Sequence, residues 1–383
     1  MDLGPLGLDR GGHLLVDRAL AGMAPGQRLR VRGADPHLGL HLPVWARSRG
    51  HAIVDGSVVV AGDAVAPGLA SAERAGSPAM VADVASPSWG LAARGALVEA
   101  GGPALEVADL HTRDVWSDLA PKLYAQAAAG QWDPATAVDW SPPDLPDEVE
   151  AAVVQVMTYL VENEQAALMV PARFLGRMNP HFREAIGFLA TQIADEARHV
   201  AVFSRRATLT GRPLGISGTG GRASLQTLLD EPEWANASFL LSVLGEGTFL
   251  SLLAFLDRHG PDPVTAGIAH LVLQDEARHV AFALGHLGEH VTRDPGCRHR
   301  LRAAIERRHD ALAQTAGLAP AVHDSLVLLA AGSWEPGAIA VGWDRVQALR
   351  SEMGEGRTRR LVRLGFTEVE ASQLAALHAE SFM

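Results

Sequence analysis

The spacing of apolar positions changes from mixed to helical near residue 105. Before residue 64 it predicts a small α/β domain, with helices over 14–23 and 38–48 and an alternating strand over 28–32. Two short β-branched runs flank Asp55-Gly56, a dipeptide typical of a two-residue hairpin turn. Residues 65–104 are rich in Ala, Gly, Ser and Pro, which indicates a connector.

Long amphipathic helices dominate residues 105–383. Four of them are expected over 148–178, 180–210, 231–259 and 263–293, because Asn179-Pro180 can begin a helix and Gly/Pro pairs can end one. A Gly/Ser loop is expected over 215–224. Helices of about 30 residues are about 45 Å long, and four with short connections pack as a four-helix bundle. The predicted fold class is therefore mostly α: a four-helix-bundle core with extra helices, preceded by a small α/β domain.

An internal repeat carries the candidate chemistry. The sequence Asp-Glu-Ala-Arg-His-Val-Ala occurs at 195–201 and again, 80 positions later, at 275–281. Each copy contains Glu-x-x-His, and side chains at i and i+3 leave one face of a helix. The two pairs are Glu196 with His199 and Glu276 with His279.

One helix before each copy, a glutamate lies in an otherwise apolar stretch. Glu164 precedes Glu196 by 32 residues, and Glu246 precedes Glu276 by 30. In two consecutive antiparallel helices, such a spacing brings both glutamates of a pair to the same level of the bundle. Glu162 is the alternative to Glu164, but Glu164 shares one helical face with three apolar residues, Met157, Val161 and Leu168. Glu162 is therefore expected to be a solvated charge.

Four carboxylates and two imidazoles inside a bundle predict a site for two metal ions. An unpaired buried carboxylate costs several kcal/mol, which two divalent cations would offset. Oxygen and nitrogen ligands suit iron or manganese. The predicted ligands, which would also carry catalysis, are Glu164, Glu196, His199, Glu246, Glu276 and His279.

Two aspartates adjoin these ligands. Asp195 and Asp275 are expected to orient the ligand histidines through their other ring nitrogens, and Arg198 and Arg278 to pair with the aspartates. One further Glu-x-x-His match, at 306–309, does not repeat and lies in a charged segment, so we expect it to face solvent.

Composition narrows the context of this site. A net charge of -11 argues against a nucleic-acid partner, which needs a basic surface. A single cysteine, Cys297, excludes an internal disulfide and fits a reducing compartment. Residues 1–14 lack the features of a signal peptide. The sequence contains no run of about 18 uncharged apolar residues, so no membrane span is predicted. We therefore expect a cytoplasmic protein with no membrane association.

The motifs around the glutamates and the two Asp-Glu-Ala-Arg-His segments resemble the hydroxylase subunits of bacterial di-iron monooxygenases. More broadly they are similar to the ferritin-like di-iron carboxylate superfamily, which includes arylamine N-oxygenases and ribonucleotide reductase small subunits. The resemblance covers residues 105–383, and most specifically 155–285. It implies a ferritin-like bundle that activates oxygen at two iron ions, or at manganese and iron.

Three positions depart from those relatives. Phe203 stands where the reductase subunits carry a radical tyrosine, and Val272 where the N-oxygenases carry an extra histidine. Leu250 stands where the hydroxylases carry a threonine, with Thr248 nearby. A tyrosyl radical is therefore not expected, and the reaction subtype stays open.

Residues 1–64 resemble the TusA-like sulfur-carrier fold in segments such as Ala24-Pro25-Gly26 and Leu42-Pro43-Val44-Trp45. The working cysteine of that family would fall near Asp9, and its Cys-Pro-x-Pro motif is absent. A docking or assembly role is therefore expected for this domain rather than sulfur transfer.

Three functions compete at this stage. The first is an oxygen-dependent oxidoreductase acting on a small organic substrate, with an external electron donor (a reductase or ferredoxin), because no nicotinamide or flavin fingerprint occurs. The second is a di-metal ferroxidase or peroxide-detoxifying protein without an organic substrate. The third is a metal-free structural bundle. An apolar cavity beside the metals, lined by Phe203, Leu250 and Leu253, would favour the first, and a shell-like oligomer the second. A homodimer is expected by analogy.

Overall fold

A computed structural model describes residues 1–62, 71–312 and 320–377, without the side chains of Thr112 and Arg113. The chain divides into two compact units, Met1–Leu105 and Glu106–Met383. The predicted boundary between residues 64 and 65 lies outside the described residues, as do the first residues of the predicted connector and residues 378–383 of the predicted helical domain.

The first unit is a small α/β structure. Its three-stranded antiparallel sheet has the order β1 (Arg28–Arg30), β3 (Val58–Val60), β2 (Ala52–Val54). The core lies between the sheet and helices and contains Leu3, Leu8, Val16, Leu20, Val31, Leu42, Ala46, Val59 and Ala61. The elements are α1 (Gly12–Leu20), β1 (Arg28–Arg30), α2 (Leu38–Ser48), β2 (Ala52–Val54) and β3 (Val58–Val60).

The predicted hairpin is present between β2 and β3. Asp55 and Gly56 have φ angles of 54° and 66°, the left-handed conformation that a tight hairpin turn requires at both positions. The helix expected over 38–48 is also confirmed. In the expected connector, β4 (Glu73–Arg74) pairs with β5 (Leu97–Val98). The likeness to a TusA-like fold stays a prediction.

The second unit is helical. The long helices α5 and α6 pack against each other, and α10 packs against both α9 and the π-helix Phe239–Glu246, so each copy of the repeat lies beside the segment that carries its upstream glutamate. Helices described here are α3 (Thr112–Val115), α4 (Ala120–Ala129), α5 (Asp147–Leu175), α6 (Arg183–Thr208), α7 (Thr219–Leu229), α8 (Trp234–Ser238), α9 (Gly247–His259), α10 (Pro263–Arg293), α11 (Cys297–Leu312), α12 (Pro320–Ala331), α13 (Pro336–Arg363) and α14 (Glu368–Leu377).

Two expectations for this unit need correction. The loop expected over 215–224 is wrong from Thr219 onward, because α7 begins there. Its Ser224 and Leu228, four residues apart, bury one face of α7, which outweighs the low helix propensity of the glycines. The helix expected over 231–259 begins at Trp234, and it is α-helical only in part: between α8 and α9, Phe239–Glu246 forms a π-helix.

The composite helix Trp234–His259 is the one continuous described helix long and apolar enough to cross a membrane by composition. Within its most apolar window, 83% of the residues are buried inside the protein, as in the core helix of a globular domain. Helices α12 and α13 pass the same test only as a pair bent by 117°.

Candidate metal centre

The six predicted ligands meet in the core of the helical unit. Each side chain is at most 2% exposed. Their ligand atoms form two groups, and within each group the atoms lie within 4.8 Å of one another. Glu164, Glu196, His199 and Glu276 form the first group, and Glu196, Glu246, Glu276 and His279 form the second. Neither group includes Glu162, which is half-buried.

Glu196 and Glu276 belong to both groups and turn one oxygen toward each histidine. For Glu196, Oε2 lies 3.1 Å from His199 Nδ1 and Oε1 lies 3.0 Å from His279 Nδ1. For Glu276, Oε1 and Oε2 lie 3.4 Å from the same two nitrogens. Each of these two carboxylates could therefore offer one oxygen to each ligand group. Glu164 and Glu246 each belong to one position only.

Burial perturbs the acid–base behaviour of these groups. It raises the pKa of Glu164 and Glu246 well above the ordinary glutamate value, and neighbouring carboxylates add to the shift. Burial also opposes ionisation of Glu196, but His279 and nearby hydrogen bonds outweigh it and lower its pKa. For His199, burial is outweighed by surrounding carboxylates, which raise its pKa. The pKa of His279 is raised for the same reason.

The donor set fits divalent cations. Several buried oxygens accept no hydrogen bond from the described residues: Glu164 Oε1, Glu196 Oε1, Glu246 Oε2 and both oxygens of Glu276. Such groups are costly in a protein core unless a cation or a donor satisfies them. Two cations between these oxygens and the Nδ1 atoms would satisfy them. The residues present therefore suit a pair of iron or manganese ions.

Each ligand histidine bonds to the aspartate of the other repeat. His199 Nε2 lies 3.1 Å from Asp275 Oδ2, and His279 Nε2 lies 3.3 Å from Asp195 Oδ2. The expected aspartate–histidine contacts are thus confirmed, but they cross between α6 and α10. Because Nε2 is engaged in this way, Nδ1 of each ring is left to face the carboxylates.

The aspartates have further partners that the sequence did not indicate. Gln131 Nε2 donates to Asp195 Oδ1 at 3.0 Å, and Trp132 Nε1 donates to Asp275 Oδ2 at 2.8 Å. Arg198 donates to both aspartates and lies over the Trp132 ring. Gln131 and Trp132 follow the short helix α4, and no motif marks them. Only the packing of that segment against α6 and α10 identifies them.

Glu246 ends the π-helical segment, and side chains bind the carbonyls of that segment. Thr248 Oγ1 donates to the Leu244 carbonyl at 2.6 Å, and Arg360 Nε donates to the Val243 carbonyl at 2.7 Å. π-helical turns occur often at functional sites, where they change the direction of a side chain. Here the segment carries Glu246 into the centre, where Gln192 Nε2 donates to its Oε1 at 3.1 Å.

Replacing Gly247 by alanine is expected to lower the free energy of unfolding by up to about 2 kcal/mol. A Cβ at Gly247 would overlap Arg360 Nε, so the guanidinium would have to leave the Val243 carbonyl. An unpaired buried carbonyl costs about 1–3 kcal/mol, more than the gain of about 1 kcal/mol in helix propensity.

Chemical denaturation measures this effect, and Gly354→Ala is its matched control. Gly354 is also helical, and a Cβ there meets nothing within 4 Å, so this variant should be as stable as the native protein or more stable. Equal stabilisation by both alanines would contradict the role assigned to the Arg360 contact.

The remaining predicted positions lie as follows. Phe203 and Leu253 are buried, and Leu250 is half-buried. Of the unrepeated Glu-x-x-His match, Glu306 is exposed and His309 half-buried, and neither belongs to a group of metal-ligand atoms. The exposed position expected for Glu306 is therefore confirmed.

Comparison with known proteins gives a fold. No family model matches the chain, and no curated protein does. A point mutant of R2-like ligand-binding oxidase with an aerobically reconstituted Mn/Fe cofactor is similar at 21% sequence identity and a TM-score of 0.50, over 66% of this chain and 95% of that chain. A structure of R2-like ligand-binding oxidase without metal cofactor gives 19% identity and a TM-score of 0.49, over 64% and 96%.

This chain has a ferritin-like helical fold. At such identities the likeness is one of fold. The chemistry of the centre is therefore argued from its own residues.

Proposed function

We propose that this protein is an oxygen-activating di-metal oxidoreductase that acts on a small organic substrate. The observation that carries the proposal is the pair of overlapping ligand groups that share Glu196 and Glu276. Two iron ions, or manganese with iron, would be held by Glu164, Glu196, His199, Glu246, Glu276 and His279. When bound and reduced, such ions supply electrons to dioxygen.

The protein's own residues would hold the ions in place and keep water away. Asp275 and Asp195 hold the rings of His199 and His279 through Nε2. Because hydrogen bonds fix each ring, little reorganisation accompanies loading or reaction. The complete burial of the six side chains excludes bulk solvent from the reacting centre.

The proposal includes partners. Electrons would come from a reductase or a ferredoxin, and we propose a cytoplasmic homodimer. Hydroxylation, N-oxygenation, desaturation and oxidative cleavage are the candidate reaction subtypes for the organic substrate.

Metal content and oxygen consumption test this function. Protein loaded anaerobically with iron, or with manganese and iron, is expected to hold two ions per chain. After reduction it should consume oxygen and change its optical spectrum. Protein that holds no metal after anaerobic reconstitution would contradict the proposal. Two ions with turnover of Fe²⁺ or peroxide alone, but of no organic compound, would favour the ferroxidase alternative.

Metal affinity is expected to rise with pH, because binding displaces protons. Burial raises the pKa of Glu164 and of Glu246, which favours the protonated form of each carboxyl group in the metal-free protein. Surrounding carboxylates raise the pKa of His199 and His279 as well, which favours protonated rings, and a metal that binds at Nδ1 would have to displace a proton there. Affinity should therefore increase with pH above the ordinary histidine pKa of about 6.5.

Calorimetry of Mn²⁺ binding in buffers of different ionisation enthalpy counts the released protons. Glu246→Gln removes one titrating group and should release fewer protons for each ion that still binds. An affinity that is flat or falls over this range would contradict the protonated state of the centre.

A further inference from the structure

A cavity of about 640 Å³ lies in the helical unit. It is bordered by α7, the α7–α8 connection, the start of the π-helix and α11, and none of the six proposed metal ligands lines it. Cavities of this size accommodate small organic molecules. Leu240, Ala303 and Ala304 contribute an apolar wall.

Arg308 is the buried charge of this cavity. Its side chain is 4% exposed, and its Nη2 donates to Ser224 Oγ at 2.7 Å. Its Nε and Nη1 have no acceptor among the described residues. No carboxylate of the described chain forms an ion pair with it within 4.0 Å. A buried guanidinium with two free donor atoms is costly unless an anion joins it. Burial lowers the pKa of Arg308 to about 10, so it stays charged at neutral pH.

The neighbouring cations, in contrast, already have partners. Arg307 Nη2 lies 3.2 Å from Glu231 Oε2, and Arg300 Nη2 lies 2.5 Å from Asp294 Oδ2. Asn236 Nδ2 also donates to Glu231, at 3.2 Å. Of these three guanidinium groups, that of Arg308 is therefore the one without an ion pair among the described residues.

The rim restricts the class of anion. Asp230 and Glu233 line the cavity and are exposed, and Glu231 lies beside them. Glu231 is paired with Arg307, but Asp230 and Glu233 would repel a doubly charged phosphate more strongly than a single carboxylate. The volume and the apolar wall leave room for the hydrocarbon part of a ligand, whereas an inorganic anion would not fill the cavity.

We propose that this cavity binds a monocarboxylic acid, whose carboxylate pairs with Arg308 and whose apolar body lies against Leu240, Ala303 and Ala304. The carboxylate would accept a charge-assisted hydrogen bond from one of the two free donor atoms of Arg308, Nη1 or Nε. This site is separate from the metal centre and does not depend on its proposed function.

Octanoate binding to the full-length, metal-loaded protein tests the site, with 1-octanol as the neutral probe of equal chain length. We expect octanoate to bind at least about tenfold more tightly than octanol in calorimetry, and Arg308→Met to weaken octanoate binding by about tenfold or more. Arg302→Met is the control on the same helix: Arg302 does not line the cavity and pairs with Glu306 and Glu370, so binding should not change.

A second variant keeps the test decisive if Arg308→Met does not fold. Ala303→Trp fills the cavity from a half-buried position and leaves Arg308 in place, so it should also prevent octanoate binding. Unchanged binding in both variants, or equal binding of octanol, would overturn the proposal. Metal content should stay the same in both, which separates a failure here from a failure of the metal centre.

Discussion

Glu196→Gln is expected to abolish binding of both metal ions, whereas Glu246→Gln should leave one. Glu196 turns one oxygen toward His199 and the other toward His279, so it contributes to both cation positions. Glu246 belongs to one ligand group only. Loss of a partner that merely orients a ligand costs about 10–100-fold in metal affinity, so loss of a shared ligand should exceed about 100-fold.

Metal content per chain after anaerobic loading measures this difference. Glu306→Gln is the matched control, because Glu306 also precedes a histidine by three positions on a helix but is exposed. It should bind two ions, as the native protein does. Full loading of Glu196→Gln, or loss of both ions in Glu246→Gln, would contradict the shared and unshared roles.

Arg206→Met is expected to lower the free energy of unfolding by about 3–5 kcal/mol, the usual cost of removing one partner from a buried ion pair. Arg206 is fully buried and donates 2.8 Å hydrogen bonds to both oxygens of Glu150 and to Asp262 Oδ2. These residues lie on α6, on α5 and at the start of α10, so the network joins three helices of the bundle. Without Arg206, two buried carboxylates would stay unpaired.

Urea denaturation measures the loss, and two further variants test its cause. Arg258→Met removes an exposed ion pair with Glu352 and should cost at most about 1 kcal/mol. Adding Glu150→Gln and Asp262→Asn to Arg206→Met should recover part of the stability, because both carboxylates are neutralised while an asparagine side chain can still cap the start of α10. A loss as small as that of Arg258→Met would show that the network contributes little.

Local sequence was sufficient for much of the fold. The helix over 38–48 and the Asp55-Gly56 turn depend on spacing and on backbone conformation within a few residues, which neighbouring elements change little. The long helices α5 and α10 begin within one residue of the predicted starts. For α10 the local signal is Pro263, because proline fits the first turn of a helix. The prediction of a loop where α7 lies was wrong because tertiary contacts decide the structure there: burial of Ser224 and Leu228 outweighs the low helix propensity of the local sequence.

Long-range contacts decided features that no local pattern contains. The π-helix that ends at Glu246 has the composition of an ordinary apolar helix. Two of its carbonyls accept hydrogen bonds from Thr248 and from Arg360, which is 117 positions from Val243. Gln131 and Trp132 reach the aspartates from a segment without a motif. Arg308 looks like one more charge of a basic helix until its burial in α11 is known.

For the candidate centre, the sequence by itself determined which six side chains come together. A repeated Glu-x-x-His fixes two ligands on one helical face, and a glutamate in an apolar stretch indicates a buried acid that needs a partner. Only the tertiary structure decided that Glu196 and Glu276 are shared and that each histidine bonds to the aspartate of the other repeat. The physical reason is that helical periodicity fixes the direction of a side chain around its own axis, whereas the rotation and height of one helix against another are set by packing of the whole bundle.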